Sequence, residues 1–270
     1  MSSLQAYKRR IRSIDSTSNI ARAMELVSSV KVKKLRNKYN LSIDYLNSLE
    51  NTINEVLYLN NLEMNINKEG ISLNIVITSN LGLCGQYNEA IINLVSKEDK
   101  SNSSYIVFGE KGRNYLKNNG YDILLSYIEY DGFESNDIQE QFSKRLYKLV
   151  KEGKVKDVNA IYTKYVNNLK YEVVKEKIYP FDVIKNKPRV NYLIEPNNSE
   201  ILNGLLSLAL KTKVNSILLN SILSENASRN NAMKKAKDNA DELKEELVLV
   251  YNKIRQQQIT NELSDIVNGM

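Results

Sequence analysis

The chain has 270 residues, 42% of them hydrophobic and 26% charged, a net charge of +6, one cysteine, no histidine and no tryptophan. This is an ordinary globular composition, with no run of about 18 apolar residues to span a membrane and no apolar leader in its opening MSSLQAYKRR. The single Cys84 excludes an internal disulfide framework and fits a reducing cytoplasm; lack of histidine removes the commonest acid–base group and a common metal ligand.

Residues 1 to 69 contain neither Gly nor Pro. Leu4, Tyr7, Ile11 and Ile14 begin a helical seam, and after a polar patch at Asp15 to Asn19 the spacing predicts that it resumes with Ile20, Met24 and Val27. Tyr39, Leu46, Leu49, Ile53 and Val56 continue it. Thr17 or Ser18 could cap a second helix there, but one long helix ending near Leu59 accounts for the pattern more simply. Ten basic residues lie between Lys8 and Lys38, opposed only by Asp15 and Glu25. A helix so charged is either a solvated face or a surface for an acidic partner.

At Gly70 the character changes. Eight of the ten glycines fall between Gly70 and Gly153. Ile71 to Thr78 is an apolar, β-branched run and predicts a strand. It is followed by Gly82 and Gly85 and a helix over Asn88 to Lys97. Ser104 to Phe108 predicts a second strand, then Gly109 and a helix through Leu116. Gln139 to Lys151 predicts a helix, and Val158 to Val166 with Tyr171 to Ile178 a hairpin turning at Asn167 to Lys170. Alternating strand and helix indicate a small Rossmann-like α/β domain with a mostly parallel sheet.

All three prolines, Pro180, Pro188 and Pro196, sit in one segment, which reads as an extended connector. Helix resumes after Asn197 or Asn198. Ser221 to Asn231 is poor in helix formers and is a place for a kink. Beyond it, Met233, Ala236, Ala240, Leu243, Leu247, Val250 and Ile254 alternate spacings of three and four, a heptad seam. A helix of that length must bury its seam against another long helix, and the N-terminal one is available. The expected fold is therefore α/β: a long antiparallel coiled coil of N- and C-terminal helices (1–60 and 198–270) with a central α/β domain (70–195).

Catalytic signatures are missing. No G-x-x-x-x-G-K-[ST] loop occurs, and no His or Cys cluster can hold a metal. SNLGLCGQYN follows a strand and precedes a helix, where a phosphate loop would sit. Gly82 and Gly85 alone mark a tight turn before they mark a ligand, and the same holds for Gly109 to Gly112. Cys84, without a histidine to activate it, reads as a packed small residue. Neither a cofactor nor a metal is expected.

Five stretches resemble the gamma subunit family of F-type rotary ATPases. Asn19 to Val27 (NIARAMELV) is similar to its I-x-x-A-M-x-x-V helix, Leu81 to Asn88 (LGLCGQYN) to its R-G-L-C-G-G-Y-N loop, and Tyr192 to Pro196 (YLIEP) to its Y-x-x-E-P. Ser224 to Arg229 (SENASR) and Leu249 to Leu263 (LVYNKIRQQQITNEL) follow its terminal signature in order. Three departures stand out: Asn80-Leu81 where Asp-Arg is usual together with Gln86 for Gly, Asn230-Asn231 for two apolar residues, and a short tail ending at Met270. They leave open a gamma-like shaft in a paralogous hydrolytic motor.

The resemblance implies a non-catalytic rotor shaft at the cytoplasmic face of the membrane, turning inside a ring of alpha and beta subunits, its globular domain beside the epsilon subunit and the membrane c-ring. Met24, Arg255, Gln256 and Thr260 match positions that face the catalytic ring, with Arg255 and Gln256 on an acidic loop of one catalytic subunit. Tyr192 and Glu195 match the foot on the membrane ring. No nucleic acid and no direct membrane insertion are implied. Two other classes compete on residues alone. The basic helix permits a nucleic-acid-binding protein, though it lacks interleaved aromatics and a known motif; the α/β domain permits a nucleotide-binding enzyme.

Overall fold

A computed structural model describes residues 2–59, 69–128, 130, 136–181 and 198–269. The chain begins with helix α1 (Ser2–Leu59) and ends with helix α5 (Asn198–Asn268). Between them come β1 (Ile71–Ile77), α2 (Tyr87–Val95), β2 (Ser103–Phe108), α3 (Glu110–Asn118), β3 (Ile123–Tyr127), α4 (Asn136–Lys151), β4 (Val155–Tyr165) and β5 (Tyr171–Tyr179). By contacts the chain falls into two compact units, Met1–Val30 with Arg229–Met270, and Lys31–Ser228. None of the described helices is long and apolar enough to cross a membrane.

The second unit holds the sheet, in the order β3-β2-β1-β4-β5. β1 pairs in parallel with β2 and β4, and β2 with β3; only the β4–β5 hairpin is antiparallel. The mostly parallel α/β domain is thus present, with strand ends within three residues of the sequence reading. β3 is absent from that reading: ILLSY is short, and as an edge strand it buries little.

Alternation along the strands divides the core in two. Leu73, Ile75 and Ile77 of β1, with Ile106, Phe108, Val158, Ala160 and Tyr162, face α1, α4 and α5 through Val32, Leu35, Phe142, Leu146 and Leu218. Val76, Tyr105, Val107 and Ile161 on the other face meet Tyr87, Ile91 and Val95 of α2 and Leu116 of α3. A smaller cluster of Leu49, Ile53 and Leu57 closes α1 on Ala209 of α5.

The stretch from Ser221 to Asn231 continues α5 without a break. Weak helix formers are tolerated there because tertiary contacts hold them. Ser221, Ser224, Asn226 and Ser228 are all buried. Ser224 Oγ donates to Asn220 O (3.0 Å) and Asn226 Nδ2 to Ile222 O (2.8 Å), so local carbonyls satisfy them. Of the proline connector, Pro180 follows β5; Pro188 and Pro196 lie outside the described residues.

Candidate partner interface

In the first unit α1 and α5 run antiparallel. Asn230 Nδ2 donates to Glu25 O (2.9 Å), Ser18 Oγ to Asp241 Oδ1 (2.6 Å), and Lys244 pairs with Asp15, so positions rise on α5 as they fall on α1. The Asp15 carboxylate raises the pKa of Lys244. Asn230, one of the departures from the family pattern, has become a cross-helix donor.

The buried seam of α1 departs from the expected one. Ser18, Ala21 and Ser28 are buried and Glu25 is half-buried, continuing the three–four spacing of Leu4, Tyr7, Ile11 and Ile14. Ile20 and Val27 are instead 59% and 57% exposed, and Met24 is half-buried at the boundary. The physical reason is size. Small residues let helices approach closely, and α5 offers half-buried Ala232, Ala236 and Ala240 in return. On α5, Met233 and Leu247 are buried as expected, whereas Leu243 and Val250 are partly exposed.

Two apolar stripes therefore face outward from this unit. On α1, Ile20, Val27 and Val30 are exposed at heptad-like spacing. On α5, Ile259, Leu263 and Ile266 recur every three or four residues, with Leu249 further back. At the register set by Ser18–Asp241 and Asp15–Lys244, the start of α1 lies level with about residue 257. The last turns of α5 thus continue without an α1 partner. Arg255 and Gln256 lie just before that overhang, both exposed, and Thr260 is exposed with its Oγ1 donating to Gln256 O (2.9 Å). Met24, Arg255, Gln256 and Thr260 all belong to this unit, the last three on a single helix segment. Tyr192 and Glu195 lie outside the described residues.

The second unit contains the place where an α/β sheet usually binds a ligand, beyond the C-terminal ends of the strands. Its anion donors are the first N–H groups of α3. Here Glu110 N donates to Asn80 Oδ1 (3.1 Å), Lys111 N to Ser79 O (3.2 Å) and Gly112 N to Thr78 Oγ1 (2.8 Å). Gly109 has φ +96°, and a Cβ on it would lie 2.2 Å from Thr78 O, so the end of β1 and the start of α3 touch through backbone. The loop at 81–86 is tied as firmly. Ser79 N donates to Asn88 Oδ1 (3.0 Å), Asn88 Nδ2 to Ser79 Oγ (2.8 Å), and Ser228 Oγ to Cys84 O (2.6 Å). Tyr87 OH meets Ser221 Oγ at 2.7 Å. The first donors of α3 are thus occupied by the chain itself, and Cys84, in the loop before α2, is buried. The described residues contain no group of three or more His, Cys, Asp or Glu arranged to hold a metal.

Tyrosines crowd this unit, and burial raises the pKa of several: Tyr105 to about 12, with Tyr39, Tyr121, Tyr127, Tyr162 and Tyr179 also pushed up. They are structural: Phe108 stacks on Tyr127 and meets Phe142 and Tyr130 edge-on.

Comparison with known proteins adds an independent line. The family described as ATP synthase matches residues 3–270. The ATP synthase gamma chain of Clostridium pasteurianum is 33% identical over 272 residues, covering 98% of this chain and 97% of that one. That of Clostridium perfringens (strain 13 / Type A) is 35% identical over 273 residues, covering 98% and 96%. Among solved structures, a chain of the Tetrahymena thermophila mitochondrial ATP synthase central stalk and c-ring is similar with a TM-score of 0.61 at 24% identity, over 80% of this chain and 99% of that one. A chain of the Euglena gracilis mitochondrial ATP synthase rotor matches with a TM-score of 0.63 at 14% identity, over 96% and 99%. At these identities the structural likenesses carry the fold.

Proposed function

The chain belongs to the ATP synthase gamma chain family, and from that premise we propose that it is the central rotor shaft of an F-type rotary ATPase, coupling rotation to ATP synthesis and hydrolysis in a surrounding catalytic ring. The supporting observation is the pair of outward apolar stripes, Ile20–Val30 on α1 and Ile259–Ile266 on α5. Contiguous exposed apolar surface on a helix marks contact with another protein. A shaft enclosed by alpha and beta subunits supplies that contact along both helices.

A rotor acts on its ring only through contacts that differ among the catalytic subunits, since a ligand shifts an equilibrium by its differential affinity alone. Arg255 and Gln256 suit that task. They stand exposed beside the α5 overhang, and an Arg fork pairs bidentately with carboxylate. Met24 and Thr260 would share the same enclosure, and Tyr192 and Glu195 would contact the c-ring, with epsilon beside the globular domain. The basic run from Lys8 to Lys38 would then face acidic surface of the ring. This proposal places the chain at the cytoplasmic face of the membrane, divides it at 1–60, 70–195 and 198–270, and assigns it no bond chemistry of its own. A nucleic-acid-binding role and a paralogous motor are not favoured by a full-length family match.

The test is Arg255→Ala with Gln256→Ala in the reassembled complex. A partly buried charge-assisted pair contributes about 1.5–3 kcal/mol, enough to shift a two-state equilibrium by one or two decades but not to assemble the complex. Assembly should survive while steady-state hydrolysis and single-molecule rotation change, and Arg255→Lys should rescue only in part. A double variant that turns like the unaltered motor would place the contact elsewhere on the shaft.

A further inference from the structure

The α1–α5 pair of the first unit buries little that would align it. On α1, the stretch between Ile14 and Val30 turns inward Ser18, Ala21, Ser28 and half-buried Glu25. On α5, half-buried Ala232, Ala236 and Ala240 recur every four residues, so a slip of four brings one alanine to the place of the next. The same slip sets Leu243 or Tyr251 where Leu247 is buried; only buried Met233 has no apolar residue four away. Apolar contact is non-directional, and here it barely separates one register from the next. Polar contacts do separate them. Ser18 Oγ donates to Asp241 Oδ1 (2.6 Å), and Lys244 pairs with Asp15. Each helix supplies two residues three apart, which share a face, so both contacts specify one register. Asp241 also acts on Lys244, joining the four groups in a single cluster. A slip of four in either direction would set Asp15 against Ala240 or Val248 and lose the ion pair. Further along, Asn230 Nδ2 donates to Glu25 O (2.9 Å) from a position where the family pattern carries an apolar residue.

We propose that Asp15, Ser18, Asn230, Asp241 and Lys244 form a register lock, which fixes how far α5 is advanced along α1 in a pair whose apolar seam leaves that open. Half-exposed ion pairs add little stability, but a polar group in a helix seam selects register even at a cost in stability. The candidate ring-facing residues lie on both helices, Ile20 and Val27 on α1 and Arg255, Gln256 and Thr260 on α5. A slip of four residues would carry one set past the other by about 6 Å. That consequence rests on the rotor reading above. The lock itself is a property of the helix pair and holds without it.

Spin labels on Arg9→Cys and Lys235→Cys in the full-length chain test it by pulsed electron paramagnetic resonance. Both positions are exposed, Cys84 is buried and stays unlabelled, and the two sites are offset along the pair, so a slip changes their separation. The otherwise unaltered chain should give a single distance; two distances already present there would refute the lock. Asp15→Ala with Ser18→Ala and Asn230→Ala should add a second distance displaced by about 5 Å. Helix content should be unchanged, since alanine favours helix at all three positions. An unshifted single distance would show that Met233 and Leu247 set the register unaided. A loss of helix content would show that these contacts hold the helices together and do not align them, and would equally overturn the proposal. Lys244→Asp, which turns a like charge on Asp15, should displace the distance as well. Exchanging the pair, Asp15→Lys with Lys244→Asp, should restore it; an exchanged pair that stays displaced would mean that the ion pair does not choose the register.

Discussion

The same two helices are held in opposite ways in the two units. In Lys31–Ser228, α5 is buried on almost every face from Leu210 to Ser228, and even Ser221, Ser224, Asn226 and Ser228 are inside and bonded. In the other unit only Met233 and Leu247 of α5 are buried beyond Arg229, while Leu249, Ile259, Leu263, Ile266 and Val267 are exposed. One unit places polar groups inside and the other leaves apolar groups outside. Burial by its own chain stabilises the first, whereas the second leaves on its helix pair the apolar surface proposed above to meet the ring. Helix propensity does not distinguish them, because both are continuous helix.

The largest expected effect tests the backbone contact inside the second unit. Gly109→Ala puts a Cβ 2.2 Å from Thr78 O at a residue with φ +96°, and strain plus overpacking should cost about 3–5 kcal/mol. Chemical denaturation measures it; a loss below about 1 kcal/mol would mean that β1 and α3 can separate cheaply.

A matched pair of truncations measures the contrast directly. Leu223, fully buried in the main core, should lose about 3–5 kcal/mol as Leu223→Ala, and Leu247, 8% exposed in the thin seam, about 2–3 kcal/mol as Leu247→Ala, because two helices can close on a void more easily than a packed core can. Equal losses would show that the seam is as tightly packed as the core. Inside the catalytic ring the Leu247 loss should change, whereas that of Leu223 should not.

Alkaline pH should separate the units without mutation. Burial raises the folded-state pKa of Tyr105 to about 12 and pushes up those of Tyr39, Tyr121, Tyr127, Tyr162 and Tyr179, all in the second unit. The folded state therefore holds protons that the unfolded chain releases near pH 10. That stability is complete below about pH 10 and is lost as pH rises toward about 12. Tyrosinate absorbance and near-ultraviolet dichroism should change together as this unit melts; tyrosinate forming progressively with the fold intact would contradict it. The smallest effect is Ser18→Ala, which removes one partly buried bond to Asp241 and should cost about 1 kcal/mol; no change in a urea midpoint would make that tie incidental.

Most of the sheet was legible because β-branched runs bounded by glycine leave little choice of period, as at Ile71–Ile77. The seam of α1 was legible only where it is apolar. Between Ile14 and Val32 the seam positions are buried Ser18, Ala21 and Ser28 with half-buried Glu25, and a search for hydrophobic spacing steps sideways onto Ile20 and Val27, which face out. Those two residues lie on the surface proposed above to meet a partner, so the reading exchanged exposed positions for core. β3 was missed because five residues with an edge-strand burial pattern give no clear signal. Arg255, Gln256 and Thr260 came from a motif; nothing in their spacing marks them, since an exposed polar residue on a helix has no local signature.

Cys84 is the only thiol in the chain and is 1% exposed. Thiol reagents attack the accessible thiolate, so the folded protein is already a nearly blank background for dye attachment. A cysteine introduced at an exposed position such as Lys117 would be the one site labelled under native conditions, without first replacing Cys84 and losing the bond that its Sγ accepts from Asn88 Nδ2. The rate at which a reagent does reach Cys84 would then serve as a clock for opening of the β1–α2 loop, read in the same tube as the motion of the labelled shaft.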